Sequence, residues 1–205
     1  MTDRPILFSA PMIRALLDGR KTQTRRLAWR HDLVLPNDPI PTIWQSVKLG
    51  DRLWVRETWA AHRNWDNVPP SKIEHPDYAG IWYATSPPRV TPYGKWRPSI
   101  HMPCWASRLT LVVTATKRER VQEISNDDAV AEGAFESGRI GDDPMHDRWT
   151  MTGEGWRWPV PWHAFQVYWQ SLHTKPGARW EDNPEVVALT FTVHQCNIDR
   201  MEAAA

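Results

Sequence analysis

Eighteen prolines are spread through the 205 residues, and they leave only a few windows in which a regular element can run uninterrupted. The first is a helix that Ser9 can cap, with Pro11 in its first turn, Met12, Ile13, Leu16 and Leu17 on one apolar face, and Gly19 as its stop. Residues 30–48 read as a proline-interrupted loop. Gly50-Asp51 then marks a turn before an alternating strand from Arg52 to Glu57, with Leu53 and Val55 facing inward. Ala60 to Lys95 is rich in Pro, Trp, Asn and His and carries one short strand candidate, Ile81 to Ala84. Leu109 to Thr116 is β-branched and alternating, the clearest strand in the chain. Ser125 reads as an N-cap with Asp127 and Asp128 in the first turn, introducing a helix to roughly Ala134. Residues 136–158 are irregular and Gly/Trp-rich. Pro161 to Leu172 reads as a helix with Trp162, Phe165, Trp169 and Leu172 on one side, and Val186 to Val193 as a last strand. The expected fold is one α+β domain over residues 1–200 with two long Trp/Pro-rich loop insertions, and residues 201–205 are a frayed tail or expression remnant.

The bulk properties exclude several classes. A net charge of +1 gives no global field for a polyanion, which argues against a dedicated duplex-binding protein. Two cysteines, Cys104 and Cys196, are too few for a secreted disulfide scaffold and point to free thiols in a reducing compartment. The N-terminal residues lack the charged and apolar regions of a signal peptide, and no stretch is apolar enough to span a bilayer. A cytoplasmic protein without a membrane partner is therefore expected. Fourteen tryptophans exceed what one pocket can use, so most are packing residues.

The chemistry concentrates in Gly-Arg-Lys-Thr-Gln-Thr-Arg-Arg, residues 19–26. Lys21 lies three residues before Thr24, and the two together are a base and a nucleophile if a turn lets both point into one site. Arg20, Arg25 and Arg26 would depress the lysine pKa toward its neutral form, and a guanidinium such as that of Arg26 can polarise an oxyanion. Such a pair needs a carboxylate. Glu132, on the capped helix, and Glu57, at the end of the Arg52 strand, are the two candidates, and spacing does not decide between them. Their plain roles are a solvated helix charge and an ion pair with Arg52 or Arg56. In the stiff segment Trp96 to Trp105, Arg97 can meet a phosphate or carbonyl and Trp105 can stack on a base, with packing as the default for both. His101 and Cys104 lack a second ligand pair, so no metal site is expected.

The run Gly19-x-Lys21-x-x-Thr24-x-Arg26 resembles the Gly-x-Lys-x-x-Glu-x-Arg signature of ASCH domains, relatives of the PUA RNA-binding fold, with threonine where glutamate is usual. Arg4-Pro5-Ile6-Leu7-Phe8, Gly50 to Glu57, Arg97 to Pro103 and Val186 to Phe191 resemble the longer, phage-associated members. The threonine variant is similar to the bacterial ASCH amidohydrolases that deacetylate N4-acetylcytidine. The resemblance implies a barrel-like mixed sheet with flanking helices and a catalytic set of Lys21, Thr24 and Glu132. It also implies an amidohydrolase of N4-acylated cytosine nucleosides that uses no cofactor. The rival readings are a non-catalytic reader of RNA or a modified base, and a ribonuclease.

Overall fold

Short apolar runs between turns favour strands over long helices, and the computed structural model follows that pattern over the residues it describes: 1–30, 39–73, 80–87, 94–137, 148–154 and 157–201. In chain order these form β1 (Asp3–Leu7), α1 (Ala10–Leu17), β2 (Gln23–Leu27), β3 (Trp29–Arg30), β4 (Ile40–Pro41) and β5 (Arg52–Arg56). Next come β6 (Trp59–Ala60), β7 (Trp82–Tyr83), β8 (Thr110–Arg120) and α2 (Asn126–Ala131). The chain finishes with β9 (Phe135–Glu136), β10 (Trp149–Thr150), α3 (Pro161–Leu172) and β11 (Glu185–His194). No described helix is long and apolar enough to cross a membrane. The chain divides into two compact units, one of Met1–Leu17, Asp51–Val112 and Val193–Ala205, the other of Asp18–Gly50 and Val113–Thr192.

In the first unit β1 lies parallel to β5, with Ile6 opposite Val55, and β5 pairs antiparallel with the start of β8, Leu53 opposite Leu111. Leu53 and Val55 are buried, and so is Trp54 between them. The Arg56 guanidinium covers the Trp54 ring at 4.5 Å, so the polar side of this strand also shields an aromatic. The Trp/Pro-rich stretch after β5 is more than loop. β6 and β7 pair antiparallel, Trp59 opposite Tyr83. Trp59, Ala61, Ile73, Met102 and Ala106 form a hydrophobic cluster of their own, with Trp65, Trp105 and Tyr83 packed against it.

The second unit carries the rest of β8, then β11, then β2, with β11 antiparallel to β2 and Leu189 opposite Thr24. β11 is buried from Val186 to Leu189 without alternation, the signature of a strand covered on both faces. β8 continues to Arg120, past the predicted end at Thr116, although residues 114–118 are exposed. Ladder hydrogen bonds need no apolar side chains, so the hydrophobic signal stops before the strand does. α3 runs Pro161–Leu172 as predicted, but its buried face is Pro161, Ala164, Phe165 and Trp169, while Trp162 and Leu172 are exposed. The described strands make an open mixed sheet and small two-stranded pairs rather than the barrel that the family resemblance implied. Only parts of the two predicted insertions fall within the described residues, and those parts include β6, β7, β9 and β10.

α2 starts as its sequence dictates. The Ser125 hydroxyl accepts from the Asp128 N–H at 3.1 Å, satisfying one of the free amides of the first turn. Ser125→Ala is expected to destabilise the protein by about 1 kcal/mol, read from urea unfolding, and an unchanged midpoint would show the cap to be idle.

Candidate functional site

The end of α2 creates the site. A helix leaves its last carbonyls without amide partners. Gly133, at φ 109°, turns the chain in a conformation that suits glycine, and the Ala134 and Gly133 N–H groups return to Ala129 O at 3.0 Å and Val130 O at 2.9 Å. Three later carbonyls remain, and the basic run after Gly19 takes all three. The Thr22 N–H donates to Ala131 O at 2.8 Å, Lys21 Nζ to Glu132 O at 2.8 Å and Arg20 Nη1 to Gly133 O at 3.2 Å. Arg20 also lies over the Phe135 ring at 4.3 Å. Cations at a helix C-terminus meet the negative end of its peptide dipoles, so the placement is favourable in sign as well as in hydrogen bonding.

Lys21 then turns inward. Its side chain is 1% exposed, and Nζ donates to Glu132 Oε2 at 2.7 Å and to Gln23 O at 2.8 Å besides Glu132 O. Glu132 is not a solvated helix charge: it is the buried C-cap residue of α2. Its other oxygen, Oε1, accepts from Arg25 Nη1 at 3.3 Å. Arg25 is the residue that the motif reading missed. Its buried guanidinium donates from Nε to Glu119 Oε1 at 2.7 Å and from Nη1 to Gln23 Oε1 at 2.6 Å. Nη2 sits 2.6 Å from Glu119 Oε1 and 3.0 Å from Asp128 Oδ2, as ion pairs without good hydrogen-bond angles. Nothing local flags this, because Glu119 and Glu132 lie on β8 and α2, far from Arg25 in sequence.

Burial pushes the Lys21 ammonium below its ordinary 10.5, and Glu132 opposes the shift. The like charges of Arg26 and Arg25 add to the lowering but are the smaller causes. The direction matches the expectation from the neighbouring arginines, while the dominant cause is desolvation. Arg26 is likewise held below its ordinary value by burial, against the charges of Glu132 and Tyr168. Its guanidinium lies 5.5 Å from the centre of the Trp44 ring.

Thr24 belongs to the same unit and is buried on β2. Strand alternation puts its side chain on the face opposite Arg25 and shared with Arg26. No hydrogen bond joins Thr24 to Lys21 or Glu132 among the described residues. The structure thus brings Lys21, Glu132 and Arg25 into direct contact and leaves the threonine hydroxyl outside that hydrogen-bond set.

The other predicted residues lie in the first unit, each with partners there. Glu57 follows β5 and pairs with neither Arg52 nor Arg56. Arg108 binds it twice, Nε to Oε1 at 2.8 Å and Nη2 to Oε2 at 2.9 Å, and Thr85 donates to Oε2 at 2.8 Å. Arg52 instead binds Asp3, at 2.8 and 2.6 Å. Arg97 donates to Val68 O at 3.0 Å and Trp65 O at 2.5 Å and lies over Trp59, and Trp105 meets Trp59 edge to face at 5.8 Å. Arg108 also stacks over Tyr83 at 4.0 Å. The Tyr83 phenol, which donates to Ala106 O at 2.9 Å, is pushed up to about 12, chiefly by burial and against the opposing charge of Arg108.

No family model matches the chain, and no curated protein matches it. Among solved structures it is similar to an ASCH domain from Lactobacillus crispatus JV V101, at 14% identity and a TM-score of 0.39, over 94% of this chain and 79% of that one. A likeness this loose assigns no role to any side chain.

Two titrations follow from these environments. The unfolded chain keeps the Lys21 proton up to 10.5, whereas the folded chain releases it earlier. Between those values the unfolded state holds more protons, so the unfolding free energy contributed by Lys21 rises with pH. Urea unfolding from about pH 7 to about pH 10 is expected to show a steeper rise for wild type than for Lys21→Met, and an equal or shallower wild-type slope would refute the burial argument. For Tyr83, the phenolate absorbance that distinguishes wild type from Tyr83→Phe is expected to develop near pH 12. Development near the ordinary 10.0 would mean that the ring is not buried as described.

Proposed function

We propose that the protein is an amidohydrolase acting on N4-acylated cytosine nucleosides, with Lys21, Thr24 and Glu132 as its reactive residues. The observation that carries the reading is the Lys21 Nζ–Glu132 Oε2 contact of 2.7 Å between two side chains that are 1% and 4% exposed. A lysine held in so dry a place is pushed by burial toward the neutral, basic form, while the carboxylate beside it fixes its position. The resemblance of the Gly19–Arg26 run to ASCH amidohydrolases supplies the substrate class.

In this reading Lys21 meets the substrate as the neutral amine, the direction in which burial pushes it. The neutral Lys21 amine takes the Thr24 hydroxyl proton as Oγ bonds to the acyl carbon. Arg26, on the Thr24 face of β2, steadies the oxyanion. The acyl C–N bond then breaks, and the cytosine N4 leaves with a proton returned from Lys21. Water attacks the acyl-threonine, gives its proton to the same amine and releases a carboxylic acid, which restores the threonine hydroxyl. The sequence needs no metal or cofactor.

One observation favours the second reading, a non-catalytic binder of RNA or a modified base. Lys21 Nζ already has three acceptors, Glu132 Oε2, Glu132 O and Gln23 O, as a structural brace would. The two readings part on turnover. Cytidine release from N4-acetylcytidine, followed under a chelator, is expected for wild type. A loss of at least about a hundredfold is expected in Lys21→Ala, Thr24→Ala and Glu132→Ala. Glu57→Ala is expected to retain turnover. Full activity in Thr24→Ala would discard the nucleophile, and loss in Glu57→Ala alone would reassign the carboxylate. No turnover by wild type on any acylcytidine would leave the binding reading standing.

A further inference from the structure

α3 has two uses on adjacent faces. Phe165 lies under the Arg25 guanidinium, 5.9 Å from its ring centre. Ala164, Val167, Tyr168 and Ser171, at helical spacing, line an open cavity of 190 Å³ together with Met151, Trp158 and the turn after β10. On the helix Tyr168 falls between the cavity face and the Phe165 face, so one residue borders both the cavity and the basic cluster. Tyr168 is also among the groups whose charge acts on Arg26.

The size of the cavity limits its occupant. A whole nucleoside site needs roughly 300 Å³ or more, so 190 Å³ is too small for one. A water-sized group fills about 30 Å³, so an acetyl methyl would leave most of the space empty. The lining limits the chemistry. The Thr150 hydroxyl accepts from the Thr152 and Gly153 N–H groups at 3.3 and 3.2 Å, and the Thr152 hydroxyl donates to Glu154 O at 3.2 Å. The Ser171 hydroxyl donates to Tyr168 O at 2.7 Å. The threonine and serine hydroxyls are therefore spent on the local backbone, and the rest of the lining is Met151, Trp158, Ala164, Val167 and Tyr168, with Glu154 as its one charged member. Such a wall suits an apolar group several carbons long.

We propose that this cavity seats the hydrocarbon part of an acyl group longer than acetyl, making α3 the element that sets acyl-chain preference. The inference rests on the amidohydrolase reading for the identity of the substrate, but not for the existence of the apolar subsite.

The test compares kcat/KM for N4-acetylcytidine and N4-hexanoylcytidine in wild type and Val167→Phe. Ser171→Trp, at an exposed position on the same helix face, serves if the first variant fails to fold. Wild type is expected to process the hexanoyl substrate at least as well as the acetyl one. The variant is expected to lose about tenfold or more on hexanoyl and to stay within about twofold on acetyl. Equal loss on both substrates, or no change on either, would overturn the assignment. If wild type turns over neither compound, the amidohydrolase reading fails by itself, and the subsite is judged by binding. N4-hexanoylcytidine raising the melting temperature of wild type more than that of the variant, with N4-acetylcytidine making no such difference, keeps the apolar subsite. Identical shifts remove it.

Discussion

The second unit depends on one buried ionic network, in which Lys21 and Arg25 of the basic run meet Glu119 and Glu132. Four charges with almost no exposure would be unaffordable if any stood alone, because desolving a single ion costs several kcal/mol. They persist because each is held by more than one partner. Glu132 has Lys21 on one oxygen and Arg25 on the other; Glu119 has Arg25 inside and the exposed Lys117 at 2.7 Å outside. Such a network does little for net stability compared with a well-packed apolar core, yet removal of one member strands the others. The network is compatible with one register. β2 is set against β11 by its backbone ladder, and the side chains leaving its Arg25 face find their acids only in that register.

The helix terminus is the second half of the same device. Without the basic run, the carbonyls at the end of α2 would look for water in a buried place. Thr22, Lys21 and Arg20 supply one donor each to three successive residues, so a loop with no regular hydrogen bonds of its own is fixed by the helix it caps. Gly133 makes this arrangement available, since the chain must leave α2 at positive φ for those carbonyls to face the loop.

Local signals account for what was legible in the sequence. Ser125 as a cap, Pro161 at the first turn of α3, the Gly19 stop and the strand at Leu53–Val55 are read from neighbours a few residues away, and each element starts or stops there. α2 nevertheless ends at Ala131 rather than Ala134, and Trp54 is buried between Leu53 and Val55. The partners in the site are long-range and were not legible. Proximity in sequence pairs Glu57 with the arginines of its own strand, but its oxygens face Arg108, 51 residues on. Arg25 looked like an interchangeable member of a basic cluster, and only the fold gives it acids from β8 and α2. Alternating hydrophobicity also says nothing about closure, so the barrel came from the family resemblance and the open sheet from the strand pairing.

The character of Lys21 is decided by competition between two large terms. Burial disfavours its charge and Glu132 favours it; burial is the larger cause, and Arg26 and Arg25 act on the same side. Glu132 Oε2 lies 2.7 Å from Nζ, so the two groups act on each other directly. Moving the proton from nitrogen to oxygen removes both buried charges at once, which the dry surroundings favour, while the three acceptors around Nζ favour keeping it on nitrogen. The balance between these two states separates a base from a brace. Arg25 bears on it twice: its charge discourages the ammonium, and its bond to Oε1 favours the ionised carboxylate. The two effects oppose each other, while the bond to Oε1 fixes Glu132 in position. A group that enters the site and withdraws one acceptor from Nζ removes support for the ammonium and so favours the neutral amine.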